Sequence, residues 1–204
     1  MISNMRNFFL NSPWPGTVAW ALIYISDFVL TIACARLRRN VADKIILDGS
    51  FELNPVFQRD VDSKKFVSPR FLLLLILTST FIVIIWALAV PDSPKVYSFL
   101  LGAAMCMELA LHVRHLGNLY LFSSRLTAEQ LRGRIEYGRP LLLRMSSVQI
   151  LGFAILFAVV FVFSRNWFVG GGAVSCFSLS VKHWHLARRA AGKQVAKLEQ
   201  PSPA

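Results

Sequence analysis

The chain contains 204 residues, 55% of them hydrophobic, and carries a formal net charge of +11 at pH 7. A mean hydropathy of +0.52 leaves too little polar sequence for a separate soluble domain, so residues 1–192 are predicted to form one transmembrane domain. The cations border apolar segments and are not interleaved with aromatic residues. This pattern argues against nucleic-acid binding and indicates contact with anionic lipid headgroups on the cytoplasmic face of a bilayer.

Five apolar segments, each close to the roughly 20 residues that cross a bilayer, define the expected fold class as an all-α integral membrane protein. The five transmembrane helices of this bundle are predicted at about residues 17–37, 71–90, 97–122, 141–164 and 167–186. The second segment is almost unbroken Leu, Ile, Val and Phe and is expected to be the most exposed to lipid. Glycines 170–172 in the fifth segment favour close packing against neighbouring helices.

The connections between the segments give further predictions. The cytoplasmic loop 38–70 contains short apolar clusters and is expected to fold back onto the membrane face or into the bundle. Before the fourth segment, Thr127 followed by Gln130 is a capping-box pattern, which predicts a short interfacial helix through Ile135. Residues 193–204 are expected to form a disordered tail.

The distribution of cations predicts the orientation. Eight cations lie in residues 36–70, five in residues 125–144 and five from Lys182 onwards, whereas the other side holds only Arg6, Lys95 and Arg165. By the positive-inside rule the N-terminus is outside and the C-terminus is cytoplasmic, as an odd number of spans requires. Arg114, in the last third of the third segment, is expected to extend its long side chain to the cytoplasmic headgroups.

Ionisable residues inside the spans are the main indication of function, because such groups need a partner, a water-filled cavity or a role. Asp27 and Glu108 lie about ten residues into spans one and three, so they should occupy similar depths near the midplane. Glu108, His112 and His115 share one helical face because they are four and three residues apart. Further candidate residues on these spans and on span five are Thr31, Asn118 and Lys182.

These positions predict a polar pocket in the cytoplasmic half of the bundle, surrounded by spans one, three, four and five, with span two outside it. On span five the expected polar stripe contains Ser175, Ser178, Lys182 and His185. On span four the expected contributors are Ser146, Ser147 and Gln149.

Three interpretations of the pocket remain open. In the first, the polar residues only hold helices together; in the second, they bind or transport a proton, a small cation or a lipid headgroup. The third is a membrane-embedded, hydrolase-like enzyme that uses a divalent metal as cofactor, with Asp27, Glu108, His112 and His115 as ligands. The spacing Glu-x3-His-x2-His is not an established metal-binding pattern. Binding or transport is the interpretation that we carry forward.

The first quarter of the chain contains Asp27 and Thr31, followed after the first span by Glu52-Leu53-Asn54-Pro55. This pattern resembles a family of small prokaryotic membrane proteins of unknown function, in which Asp-x3-Thr in the first helix is followed by Glu-x-Asn-Pro. The resemblance implies no known activity. It implies a prokaryotic inner membrane as the location, and that Glu52 and Asn54 join Asp27 at the site.

Overall fold

The computed structural model describes residues 8–48, 52–53, 56–63, 67–123 and 133–198. In these residues the long helices are α1 (Pro13–Leu37), α3 (Pro69–Ala89), α4 (Pro94–Ser123), α5 (Arg139–Ser164) and α6 (Trp167–Leu198). Between α1 and α3 lie a 3-10 helix (Arg38–Val41), strand β1 (Ile45–Leu47) and the short helix α2 (Gln58–Asp62). Strand β2 (Ile135–Tyr137) precedes α5.

Serine caps followed by proline define where two of these helices begin. Ser12 precedes Pro13, and its hydroxyl accepts a hydrogen bond at 3.4 Å from the amide two residues on. Ser68 precedes Pro69 and accepts from the Phe71 amide at 3.2 Å. Proline suits the first turn because a helix has no partner there for the N–H that proline lacks. α1 and α3 therefore begin a few residues before the apolar segments that predicted them.

Four helical segments are long and apolar enough to cross a membrane, namely Pro13–Val41, which is α1 with the 3-10 helix, and α3, α4 and α5. α3 has the least buried apolar stretch of the four, with 11% of it inside the structure, in line with the expected exposure to lipid. Among the described helices, α6 covers the fifth predicted span, but its hydropathy is too low to place it with these four segments. Its glycines and serines, together with Lys182, account for this deficit.

α4 and α6 approach each other closely at two glycines. A Cβ atom added to Gly102 of α4 would collide with the backbone carbonyl of Phe168, and one added to Gly171 of α6 would collide with that of Phe99. The missing side chains therefore permit this helix contact. Because α4 also packs against α1 and α3, it is the central helix of the bundle.

A parallel pair of short strands departs from the all-α expectation, with Ile45 of β1 opposite Ile135 of β2. The prediction of a helix through Ile135 is wrong at this residue, because its amide donates to the Lys44 carbonyl at 2.8 Å. Two β-branched segments at the same end of the bundle can pair, although neither has a partner nearby in the sequence. The capping-box residues Thr127 and Gln130 lie outside the described residues.

The C-terminal helix extends further than predicted, since α6 continues through residues 193–198, where a disordered tail was expected. Ala, Lys, Gln and Leu make up much of this stretch and are good helix formers, and Gly192 alone does not end the helix. Residues 199–204 lie outside the described part of the chain.

We expect Gly102→Ala to lower the free energy of unfolding by about 1–3 kcal/mol, because the added methyl group forces α4 and α6 apart. Thermal or denaturant unfolding of the purified protein in detergent would measure this. Gly117→Ala on the same helix is the matched control. Apart from its chain neighbours and the backbone of its own helix, no described atom lies within 4 Å of a Cβ atom at that position. The control should leave stability unchanged or improve it, because alanine is the better helix former. Equal effects of the two substitutions would contradict close packing at Gly102.

Candidate functional site

The central polar contact joins Asp27 of α1 to two histidines of α4. The Oδ1 atom of Asp27 lies 3.5 Å from Nδ1 of His112 and 3.7 Å from Nε2 of His115. Only 17% of the Asp27 side chain is exposed. An ionised carboxylate in this position is stabilised when either imidazole ring is in its doubly protonated, positively charged form. Asp27 therefore meets the face of α4 on which the sequence places His112 and His115.

His112 can gain or lose a proton without losing a hydrogen bond. Its Nδ1 atom lies 2.8 Å from the backbone oxygen of Glu108, which can only accept, so Nδ1 carries a hydrogen. Its Nε2 atom lies 2.7 Å from the Ser26 hydroxyl, which lies 2.9 Å from the backbone oxygen of Ile23. In the neutral ring Ser26 donates to Nε2. In the imidazolium Nε2 donates to Ser26, and Ser26 donates to Ile23, so both states are fully bonded.

His115 joins the same two helices at a more deeply buried position. Its Nε2 atom lies 3.3 Å from the Thr31 hydroxyl, and its backbone oxygen accepts from the Cys34 thiol at 3.3 Å. The predicted faces of α1 and α4, with Asp27 and Thr31 on one and the two histidines on the other, therefore meet.

Three carboxylates and one guanidinium interact around this contact. Glu108 is buried and interacts electrostatically with Asp27, Glu52 and Arg114. Glu52 and Arg114 also act on Asp27. Of these four described residues only Arg114 is a cation. A buried carboxylate is costly unless a proton or a positively charged partner neutralises it.

A cavity of about 40 Å³, which we call the Asp27 cavity, lies beside the carboxylate. Its walls come from α1, from the segment around α2 and from the first turn of α3. The lining residues are Tyr24, Asp27, Phe28, Thr31, Glu52, Phe57, Val61 and Phe71. The expectation that the second span lies outside the polar region is wrong at Phe71, which lines this cavity. Phe71 is held there because its ring stacks on that of Phe28, with a centroid distance of 4.3 Å.

A second cavity, of about 180 Å³, is lined by His115 and Arg114, and we call it the Arg114 cavity. Its polar lining residues are Arg114, His115, Asn118, Ser146 and Gln149. Apolar side chains of β1, β2, α4 and α5 complete its walls. The polar interior is therefore divided into two cavities, where the sequence predicted one pocket.

Arg114 does not extend toward the headgroups as expected, because its guanidinium is held against α5. Its Nη1 atom donates to the Ser146 hydroxyl at 2.7 Å, and that oxygen lies 3.0 Å from Nδ1 of His183 on α6. Since arginine can only donate, the hydroxyl hydrogen of Ser146 is available for His183. This chain of hydrogen bonds ties together α4, α5 and α6.

The face of α6 that meets this chain differs from the predicted one. Lys182 is exposed, as are Ser178 and His185, so Lys182 does not join the site. The buried positions Cys176, Ser180, His183 and Ala187 follow a spacing of four, three and four residues. Gly172, where an added Cβ atom would collide with the side chain of Cys106, lies four residues before Cys176 and extends this stripe of small residues. The stripe is the sequence signal for His183.

The four proposed metal ligands do not form a metal centre. Among the described residues, no group of three or more His, Cys, Asp or Glu side chains is arranged to hold an ion. Both ring nitrogens of His112 are engaged by the Glu108 carbonyl and the Ser26 hydroxyl. The described residues therefore do not provide the ligand set that the metal-dependent enzyme interpretation requires.

No protein-family model, curated protein or solved structure matches this chain. The family resemblance carried by Asp27, Thr31 and Glu52 stays a prediction, and Asn54 lies outside the described residues. Function is therefore inferred from the geometry of the site.

Proposed function

We propose that this chain is a five-span protein of the cell membrane, the inner membrane in a prokaryote, that binds a small cation in competition with a proton. The observation that carries the proposal is that the Asp27 carboxylate contacts both a cavity and two histidines. Its carboxylate lines the Asp27 cavity, while its Oδ1 atom lies beside His112 and His115.

A cation in the cavity and a proton on His112 would be stabilised by the same carboxylate. Each therefore weakens binding of the other, because two positive charges share one negative group. The hydrogen bonds of His112 support this competition between cation and proton, since Ser26 can hydrogen-bond to the ring in either protonation state. The presence of both Asp27 and Glu52 in the lining of the Asp27 cavity supports a positively charged ligand.

The proposed topology has the N-terminus outside and the C-terminus in the cytoplasm, with α6 as the fifth span. α6 packs along both α4 and α5, which supports its place inside the bundle. The pairing of β1 with β2 brings together the connection after α1 and the loop before α5. Those two connections hold most of the cations and should share the cytoplasmic side.

The topology predicts that reporter fusions after Arg70, Arg139 and the last residue report the cytoplasm. Fusions near Pro91 and Arg165 should report the outside, because each lies at the opposite end of a hydrophobic helix. Parallel use of a phosphatase that is active only outside and a fluorescent protein that is active only inside gives complementary signals. A cytoplasmic signal at Arg165 would contradict a fifth span.

Asp27→Asn keeps the shape of the side chain and removes its charge, so we expect a folded protein that no longer responds to cations. In the parent protein, the midpoint of thermal unfolding in detergent should rise with the concentration of a binding cation, and should rise less as the pH falls. Sodium, potassium and ammonium chlorides at matched ionic strength provide the series. The variant should show no difference between these salts.

Asp92→Asn is the matched control, because Asp92 lies in the exposed turn between α3 and α4. It should keep the full cation response. If Asp27→Asn also kept it, Asp27 would not belong to the binding site.

A further inference from the structure

The Asp27 cavity combines carboxylates with an unusually aromatic wall. Of its eight lining residues, four are aromatic: Tyr24, Phe28, Phe57 and Phe71. Phe71 stacks on both Phe28 and Tyr24, with centroid distances of 4.3 and 5.1 Å, and Phe57 approaches Phe28 edge-on at 6.4 Å. The rings therefore form one continuous cluster that joins α1, the loop and α3. Asp27 and Glu52 supply the negative charge in the same lining.

We propose that the Asp27 cavity recognises a small alkylammonium group, with Asp27 and Glu52 neutralising its charge and the aromatic cluster enclosing its carbon atoms. This inference rests on the proposed cation site and specifies the chemical class of the cation.

The lining chemistry separates an organic ammonium ion from a metal ion. Hard divalent cations take six or more oxygen ligands. All six side-chain oxygens of Tyr24, Asp27, Thr31 and Glu52 would have to reach one such ion, whereas the Thr31 hydroxyl already lies 3.3 Å from Nε2 of His115 and the rest of the wall is apolar. An alkylammonium group is stabilised by aromatic rings as well as by carboxylates, which is the combination present here.

The size of the cavity limits the group that it can hold. A cavity needs about 10–15 Å³ to hold one water molecule, so a volume of about 40 Å³ has room for a small group. An ammonium nitrogen with one or two carbons suits this space. A quaternary ammonium with four methyl groups needs more of it.

The position of the cavity allows two sources for such a group. Phe71 lies in the first turn of α3, and Phe57 and Val61 belong to the connection that precedes this helix. The end of a membrane-crossing helix lies at the level of the lipid headgroups. The ammonium can therefore come from a free amine in solution or from the ethanolamine headgroup of a phospholipid.

The test uses the full chain in nanodiscs of phosphatidylcholine and phosphatidylglycerol, titrated with ethylammonium chloride by calorimetry. Sodium chloride matches the ionic strength, tetramethylammonium tests size, and ethanol tests the need for charge. We expect ethylammonium to bind and the three comparison compounds to bind at least tenfold more weakly. Equal binding of sodium and ethylammonium would overturn the proposal.

Phe71→Leu should weaken ethylammonium binding by about threefold to thirtyfold, because it removes a ring from the cavity wall. Phe81→Leu is the matched control on the same helix, since that ring is 53% exposed on the outer face, and it should bind as the parent protein does. If Phe71→Leu does not fold, Glu52→Gln gives the second test and should also weaken binding. Parent-like affinity in a folded Phe71 or Glu52 variant would overturn the assignment.

Replacing part of the phosphatidylcholine with phosphatidylethanolamine distinguishes the sources. If the headgroup is the natural occupant, this lipid should compete and weaken ethylammonium binding. If a free amine is the occupant, the lipid should have no effect, and the alkylammonium site stands in both cases. Failure of this inference is distinct from failure of the proposed function. If sodium or protons still bind through Asp27 while ethylammonium does not, only the alkylammonium assignment is lost.

Discussion

The buried carboxylate of Asp27 is the constraint on which the polar interior depends. An ionised group inside a membrane helix is stable only with compensating partners, and His112 and His115 of α4 lie within 4 Å of the Asp27 Oδ1 atom. These residues bring the polar faces of α1 and α4 together. The carboxylate of Asp27 also lines the Asp27 cavity. In the proposed function, helix packing and cation binding therefore depend on the same carboxylate.

The central position of α4 explains why the polar interior is divided. One face of the helix presents His112 and His115 to α1, and another directs Arg114 to Ser146 of α5. Because α6 packs along both α4 and α5, His183 completes the hydrogen-bond chain through Ser146. Arg114 also interacts electrostatically with Asp27 and Glu108. A change in the charge of Asp27 in one cavity therefore acts on Arg114 in the other.

Spacing within single helices predicted similar depths for Asp27 and Glu108 and one shared face for Glu108, His112 and His115, but it left open which of these residues lies nearest to Asp27. The same reasoning was wrong for Lys182 on α6. There, polar and small-residue stripes have the same period, so spacing within the helix does not decide which one faces inward. The pairing of Ile45 with Ile135 joins loops far apart in sequence, and local patterns carry no information about such a partner.

A double-mutant cycle between Asp27→Asn and His112→Gln tests the central contact most directly. The free energies of unfolding of the parent, both single variants and the double variant would be measured in the same detergent. Residues in direct contact have coupling energies of about 0.5–3 kcal/mol, and we predict a value in this range. Effects that add to within about 0.3 kcal/mol would show that the two side chains do not interact, and would contradict a site built on Asp27.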